Sequence, residues 1–402
     1  MAADSPEPPE ESLRSLAASL ALLWLYGASL RLTVLAVPPV IPGIHESLSL
    51  TQAAVGALTT LPVLMFSLMA LPGAVLIARF AAARVLALGL ALAAFASAAR
   101  GLAPGTATLF AATFLMGMGI AFMQPALPTI VRTRLPTRIA LGTTVYSNGL
   151  LVGEALPASL TLPFVLPALD GSWRASLVAW SVPVALVFLA ALPAALARRP
   201  PAHAREPVRW WPDWRSPQVW ALGIVSGATS ALYYCLNAFL PDFLRHTGRG
   251  DLIGASLSAL NWAQIPASLL LLAFSSRLAG RAAPIVAMGC VSLAALAALV
   301  TMPGAWVVAW SGVIGFVTAF VLILTLALPA MLAAPSDVHR VSAAMFAIGY
   351  LCALVVPVLG GALWDLTGVA ASAFLPAAAM AVGMVAAPSW LRVSRAGSSR
   401  PA

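Results

Sequence analysis

Two charged residues stand in stretches that should exclude charge. Arg31 lies halfway along an apolar run, between WLYGASL and LTVLAV, too far from either end for its guanidinium to reach an aqueous surface. At that depth in a bilayer a charged side chain costs about 2.5–3.5 kcal/mol on insertion scales, and it turns to a cavity or a polar partner rather than to lipid. Arginine does not give up its proton in a protein, so an anion, a carboxylate or a set of carbonyls must answer it. Two readings follow. Arg31 is a fixed charge that coordinates an anionic or strongly dipolar solute, or it is half of a structural ion pair. Glu154, in NGLLVGEALPAS, is the one acidic residue at comparable depth. An oily setting favours a neutral carboxyl, whereas a neighbouring guanidinium favours an ionised one. Glu154 is therefore a candidate to carry a coupling proton, to act as counter-ion to Arg31, or to serve as a gate.

Uncharged polar groups recur at helical spacing. Gln124 and Pro128, in GMGIAFMQPALPTIVRTR, are four apart and share a face. The Gln124 amide can meet a solute or bond across to another helix. Gly117 and Gly119 permit close helix approach, and the prolines free carbonyls, which marks this run as a bending element. Tyr233 and Asn237 are also four apart, with Tyr234 beside them, and Asn261, Gln264 and Ser268 form a stripe. A polar stripe on an apolar helix faces other helices or water, and this one is read as lining a central cavity. Thr318, Thr325 and Tyr350 are weaker candidates of the same kind, and Trp24 and Tyr26 read as packing. Catalytic chemistry is poorly served. His45, His203, His246 and His339 fall in separate loops, and there is no HExxH. Cys235, Cys290 and Cys352 sit in apolar runs, where a free cysteine acts as a small hydrophobe. With no P-loop the chain does not drive transport with ATP itself, and with no lysine a Ser–Lys dyad is excluded. No catalytic residue, metal site or cofactor is expected.

The elements that position these groups are membrane helices. Hydrophobic residues make up 61% of the 402 and charged ones 9%, whereas a soluble domain carries about 25% charge. Spanning runs fall at 16–42, 51–77, 84–99, 106–131, 139–166, 175–197, 217–241, 252–274, 283–302, 306–333, 341–363 and 370–390. The basic residues, all arginine, test that count. With both termini on the cytoplasmic side, 17 of the 22 fall on cytoplasmic loops and tails, and four (Arg100, Arg174, Arg245 and Arg249) on outer loops. That bias is the one expected of an inner-membrane protein. The net charge of +9 is thus mostly a topology signal and not a nucleic-acid footprint. Residues 1–15 and 391–402 read as cytoplasmic tails, the acidic first one lacking the basic start of a signal peptide. Residues 198–216, rich in Arg, Pro and Trp, read as a linker lying along the lipid headgroups between six-helix bundles at 16–197 and 217–390. ARFAAARV after the second span is echoed by SRLAGRAA after the eighth, and Pro128 by Pro329. Parallel repeats of this kind place a solute site near the midplane, between the halves.

The same stretches resemble a known family. SLRLTVLAVPPVIPGI is similar to the NMRPxLTSVGPLLPxI pattern of the cyanate and 2-nitroimidazole transporters of the major facilitator superfamily, with Arg31 and Pro42 on the matching positions. ALTTLPVLMFSLMALPG resembles that group's ALLTxLPV segment. Gly117, Gly119, Ile120, Gln124, Pro128 and Arg132 fit its GxGIxxxQxxxPxxxK/R motif. WRASLVAW, ALNWAQIPASL and Tyr233 eight residues before Pro241 also correspond. Ser29 and Leu32 depart from the pattern, and Glu154 stands where the group has small residues. The resemblance implies an all-α, twelve-helix secondary transporter that works by alternating access, commonly as a monomer, on cyanate-like anions or small nitrogenous compounds. Arg31, Gln124, Tyr233, Asn237, Asn261 and Gln264 are expected to line its site, with Glu154 as the candidate for proton coupling. The alternative is a proton-coupled multidrug exporter with a broad aromatic cavity. A channel or a membrane-embedded enzyme is the remote reading.

Overall fold

The computed structural model describes residues 13–50, 52–197 and 210–390, and every regular element among them is helical. Eleven runs are long and apolar enough to cross a membrane: α1 (Ser15–Leu48), α3 (Ala82–Gly101), α4 (Thr106–Arg134), α5 (Ile139–Ala168), α6 (Trp173–Leu196), α7 (Pro217–His246), α8 (Gly250–Leu278), α9 (Ala282–Thr301), α10 (Trp306–Leu332), α11 (Val338–Thr367) and α12 (Ala370–Ser389). A pair bent by 49°, Ala57–Leu68 with Ala70–Phe80, counts as α2 and makes the twelfth. The third span is longer than the 84–99 expected for it. The expected tails at 1–15 and 391–402 lie outside the described residues except for 13–15, which already belong to the first helix. Residues 198–209 of the linker also lie outside. Its described end stacks Trp210, Trp211, Trp214 and Trp220 edge to tilted face, and Arg340 of α11 donates to the Trp211 carbonyl. The end of the bundle where α6 hands on to α7 is called the linker end here, and the opposite one the far end.

Prolines set the breaks, because each removes an N–H and frees the carbonyl four residues earlier. Pro72 frees Leu68, where α2 bends, and Pro266 frees Trp262, where α8 divides into Ile253–Trp262 and Gln264–Leu278. In α1 the regular helix Leu13–Ser29 stops, residues 30 and 31 turn, and a short helix Leu32–Leu35 follows. Pro38 cannot serve the Val34 carbonyl, so the Val37 N–H turns to it and leaves the Thr33 carbonyl without a helix partner.

Within the first half, α3 packs on α4 and α6, and α1 packs on α5; within the second, α7 packs on α11 and α12, while α8 and α9 pack on α10. The α1–α5 contact is intimate. A Cβ on Gly149 would run into the Trp24 carbonyl, and one on Gly153 into that of Ala28. Small residues are what let membrane helices approach this closely. Between the halves, α5 meets α10 and the second part of α8, and α2 and α4 meet α11.

Candidate substrate-binding site

Arg31 emerges where α1 unwinds, at the start of the Leu32–Leu35 turn. Its Nη2 donates to the Tyr350 hydroxyl of α11 at 3.2 Å, in the opposite half. The guanidinium carbon lies 5.4 Å from the Phe66 ring centre and 5.9 Å from that of Tyr350. Both are within cation–π range. Its Nε is buried without a hydrogen-bond partner. Among the described residues the ion pairs are Arg245–Asp242 and Arg340–Asp337, both on helix-end turns. Among those residues Arg31 has no carboxylate within 4.0 Å.

Glu154 is therefore not a contact counter-ion. It reaches across the halves to α7 instead, where its Oε1 lies 2.9 Å from the Tyr233 hydroxyl. The same hydroxyl lies 2.8 Å from Oδ1 of Asn261 on α8. Asn261 Nδ2 donates to the Leu257 carbonyl at 2.8 Å, which turns its oxygen toward Tyr233. A phenol has one hydrogen to give. When Tyr233 donates to Asn261, Glu154 must bring its own proton to the Tyr233 oxygen. When Glu154 is ionised, the Tyr233 hydroxyl turns to it and the Asn261 oxygen is left without a donor. The two arrangements differ by one proton and by which helix, α5 or α8, Tyr233 serves.

Around these groups a cavity runs between the halves. Its central part is bordered by Arg31, Gln124, Tyr146, Glu154, Tyr233, Tyr234, Gln264, Thr318, Phe346 and Tyr350. Toward the far end it continues in two arms. One is lined by Glu154, Tyr233, Asn237, Asn261, Trp262 and Gln264. The other runs between Pro38, Leu58 and Thr59 on one side and Tyr234 and Asn237 on the other. Gln124 and Gln264 are 4% and 7% exposed, and the Gln124 Oε1 is an acceptor without a donor. All seven residues expected at the site border this cavity. Thr325 does not; its hydroxyl donates to the Val321 carbonyl within α10.

Four groups were not picked out from the sequence for this site. Tyr234 and Phe346 join the aromatic wall. Asn148 accepts from the Trp24 indole at 2.9 Å and donates to Ser268 of α8 at 2.8 Å. With the bond from Ser67 of α2 to the Ala347 carbonyl of α11, it ties the halves together on the linker side of Arg31. Arg100 is the fourth. Expected in a far-end loop, it instead lies in the last turn of α3, 1% exposed, and donates to the orphaned Thr33 carbonyl. Among the described residues no group of three or more His, Cys, Asp or Glu comes together as a metal site.

The arrangement can hold a solute's negative end on a guanidinium, stack its flat faces on tyrosine and phenylalanine rings, and exchange one proton at a carboxyl that bridges the halves. The chain is 28% identical over 87% of its length to the cyanate transport protein CynX of Escherichia coli (strain K12), covering 90% of that protein. It is 30% identical to the 2-nitroimidazole transporter of the same organism, over 87% of this chain and 88% of that one. Its fold matches the crystal structure of the transporter FucP in the outward conformation with a TM-score of 0.69 at 15% identity, over 92% and 97% of the two chains. The Major Facilitator Superfamily profile matches residues 23–248, more than half of the 402. The chain belongs to the major facilitator superfamily of membrane transporters.

Proposed function

We propose that this transporter carries a small, flat, delocalised solute, either a cyanate-like anion or a compact nitrogen-rich dipole, and that Arg31 is the group that holds it. One observation carries the reading. A guanidinium at mid-span donates to a tyrosine hydroxyl of the other half and, among the described residues, has no carboxylate within 4.0 Å. A charge kept in that setting needs an anionic or strongly dipolar partner, and the solute is the partner available. The names of the two relatives, a cyanate and a 2-nitroimidazole transporter, suit the same chemistry. Five aromatic side chains around the cavity (Tyr146, Tyr233, Tyr234, Phe346 and Tyr350) favour a planar solute over a branched one.

The two rocking units are taken as 16–197 and 217–390. The arginine bias supports a cytoplasmic linker end in a bacterial inner membrane, with both termini on that side. Linker-side bonds between the halves, with the cavity reaching the far end, support an outward-facing state of an alternating-access cycle. Glu154 is the proton-handling group, since its partner Tyr233 has a different task for each protonation state.

Uptake of labelled cyanate and of 2-nitroimidazole into proteoliposomes tests this. Saturable uptake with counterflow is expected, and Arg31→Ala should weaken binding about 10- to 100-fold in a protein that still folds. Unchanged binding by the solubilised variant would refute the role of Arg31, and flux without saturation or counterflow would point to a channel.

A further inference from the structure

Arg100 carries more charge than its structural task needs. Both of its hydrogen bonds leave from one nitrogen: Nη2 donates to the Thr33 carbonyl at 2.6 Å and to the Ser97 hydroxyl at 2.9 Å. A neutral amide can cap a carbonyl equally well. The Nε is buried with no partner, and neither ion pair among the described residues includes Arg100. Holding a guanidinium charged in so dry a place is expensive, and capping alone does not explain the expense. The side chain borders the far-end arm of the cavity, which it shares with Arg31, Glu154, Tyr234 and Asn237. A solute moving from the far end to Arg31 passes it.

We propose that Arg100 forms an outer subsite for a compact anion, in series with Arg31. The inference rests on the reading of Arg31 as the solute-holding residue. Two guanidiniums bordering one passage through the protein concentrate anions there, and the outer one keeps an unpartnered donor in its Nε. An anion taken up at Arg100 is partly stripped of water before it reaches the aromatic chamber around Arg31.

The variants Arg100→Gln and Arg100→Lys separate charge from capping. The first keeps a donor for the Thr33 carbonyl without charge, and the second keeps charge without the fork. In proteoliposomes, Arg100→Gln is expected to raise the KM for labelled cyanate about tenfold with kcat little changed, the size of one charge-assisted hydrogen bond, and Arg100→Lys to recover most of it. A wild-type KM in Arg100→Gln, or an Arg100→Lys protein as impaired as Arg100→Gln, overturns the proposal. Equilibrium dialysis of wild-type protein in nanodiscs decides the matter even if Arg100→Gln fails to fold. Two cyanate ions per chain at saturation are expected, and one in Arg31→Ala; a single ion in the wild type overturns the outer subsite. Loss of uptake in Arg31→Ala with no effect at Arg100 removes this proposal alone. No cyanate binding by the wild type removes the anion reading of Arg31 with it.

Discussion

Glu154 and Tyr233 belong to opposite halves of the molecule, yet their oxygens lie 2.9 Å apart. The contact sets a carboxyl of the first half on the interface with the second. Asn261 competes for the same hydroxyl from a third helix, so a proton on Glu154 and the pairing of α7 with α8 are linked by donor arithmetic alone.

Glu154→Gln should therefore uncouple the carrier without emptying its site. The amide can still bond to Tyr233 but has no proton to release. Accumulation driven by a proton gradient is expected to vanish, while counterflow between solute pools at equal pH persists. Both are read in the same vesicles, and full gradient-driven accumulation by the variant would take Glu154 out of the coupling step.

Arg31→Ala is expected to weaken solute binding about 10- to 100-fold, the range for a lost hydrogen bond to a charged group. Stability should move the other way. Removing a buried cation with an orphaned Nε takes away a cost, so the variant's melting temperature should equal or exceed that of the wild type. Arg31→Lys should bind better than the alanine variant yet short of wild type, because an ammonium lacks the planar fork. Thermal shift with and without solute measures both quantities.

Gly149→Ala tests whether the α1–α5 contact positions the site. Its methyl would meet the Trp24 carbonyl, and overpacking of this kind costs about 1–3 kcal/mol. A melting temperature lower by several degrees and weaker solute binding are expected together. Alanine behaving as glycine would mean that the two helices can part without disturbing Arg31.

Asn148→Ala should loosen the linker-side closure. The bond from Asn148 to Ser268 crosses the halves, and polar contacts between membrane helices are worth about 0.6 kcal/mol on average. That corresponds to a roughly threefold shift of population toward the state open at the linker end. Spin-label distances across the linker end of α5 and α8 report it, and an unchanged distribution would assign the closure to apolar packing.

Much of this fold was legible in the sequence because lipid imposes a simple grammar: runs of a set length, arginines on one side, prolines at breaks. The residues lining the cavity were legible for a related reason. Tyr233 and Asn237, or Asn261 and Gln264, have no business on a lipid-facing surface, so helical spacing alone turned them inward. Arg100 was missed because hydropathy fades at a helix end, and an arginine there looks like a loop residue. The signal that was available lay far upstream, where Pro38 upsets the bonding of Val34 and Thr33 and creates an acceptor in need of a donor. The pairing of Arg31 with Tyr350 was out of reach for a plainer reason: no local pattern links positions 319 residues apart.

That separation has a consequence for how the protein is made. A chain entering the bilayer from its N-terminus brings in a mid-depth guanidinium and, later, a mid-depth carboxyl well before α7 and α11 exist to receive them. Until then the first six helices hold polar groups whose partners are still on the ribosome. Tyr233 arrives first and Tyr350 much later, so the central cavity is completed only as translation nears its end. Each half made alone should be a poor guest in the membrane and a target for quality-control proteolysis, and supplying the second half in trans should rescue the first.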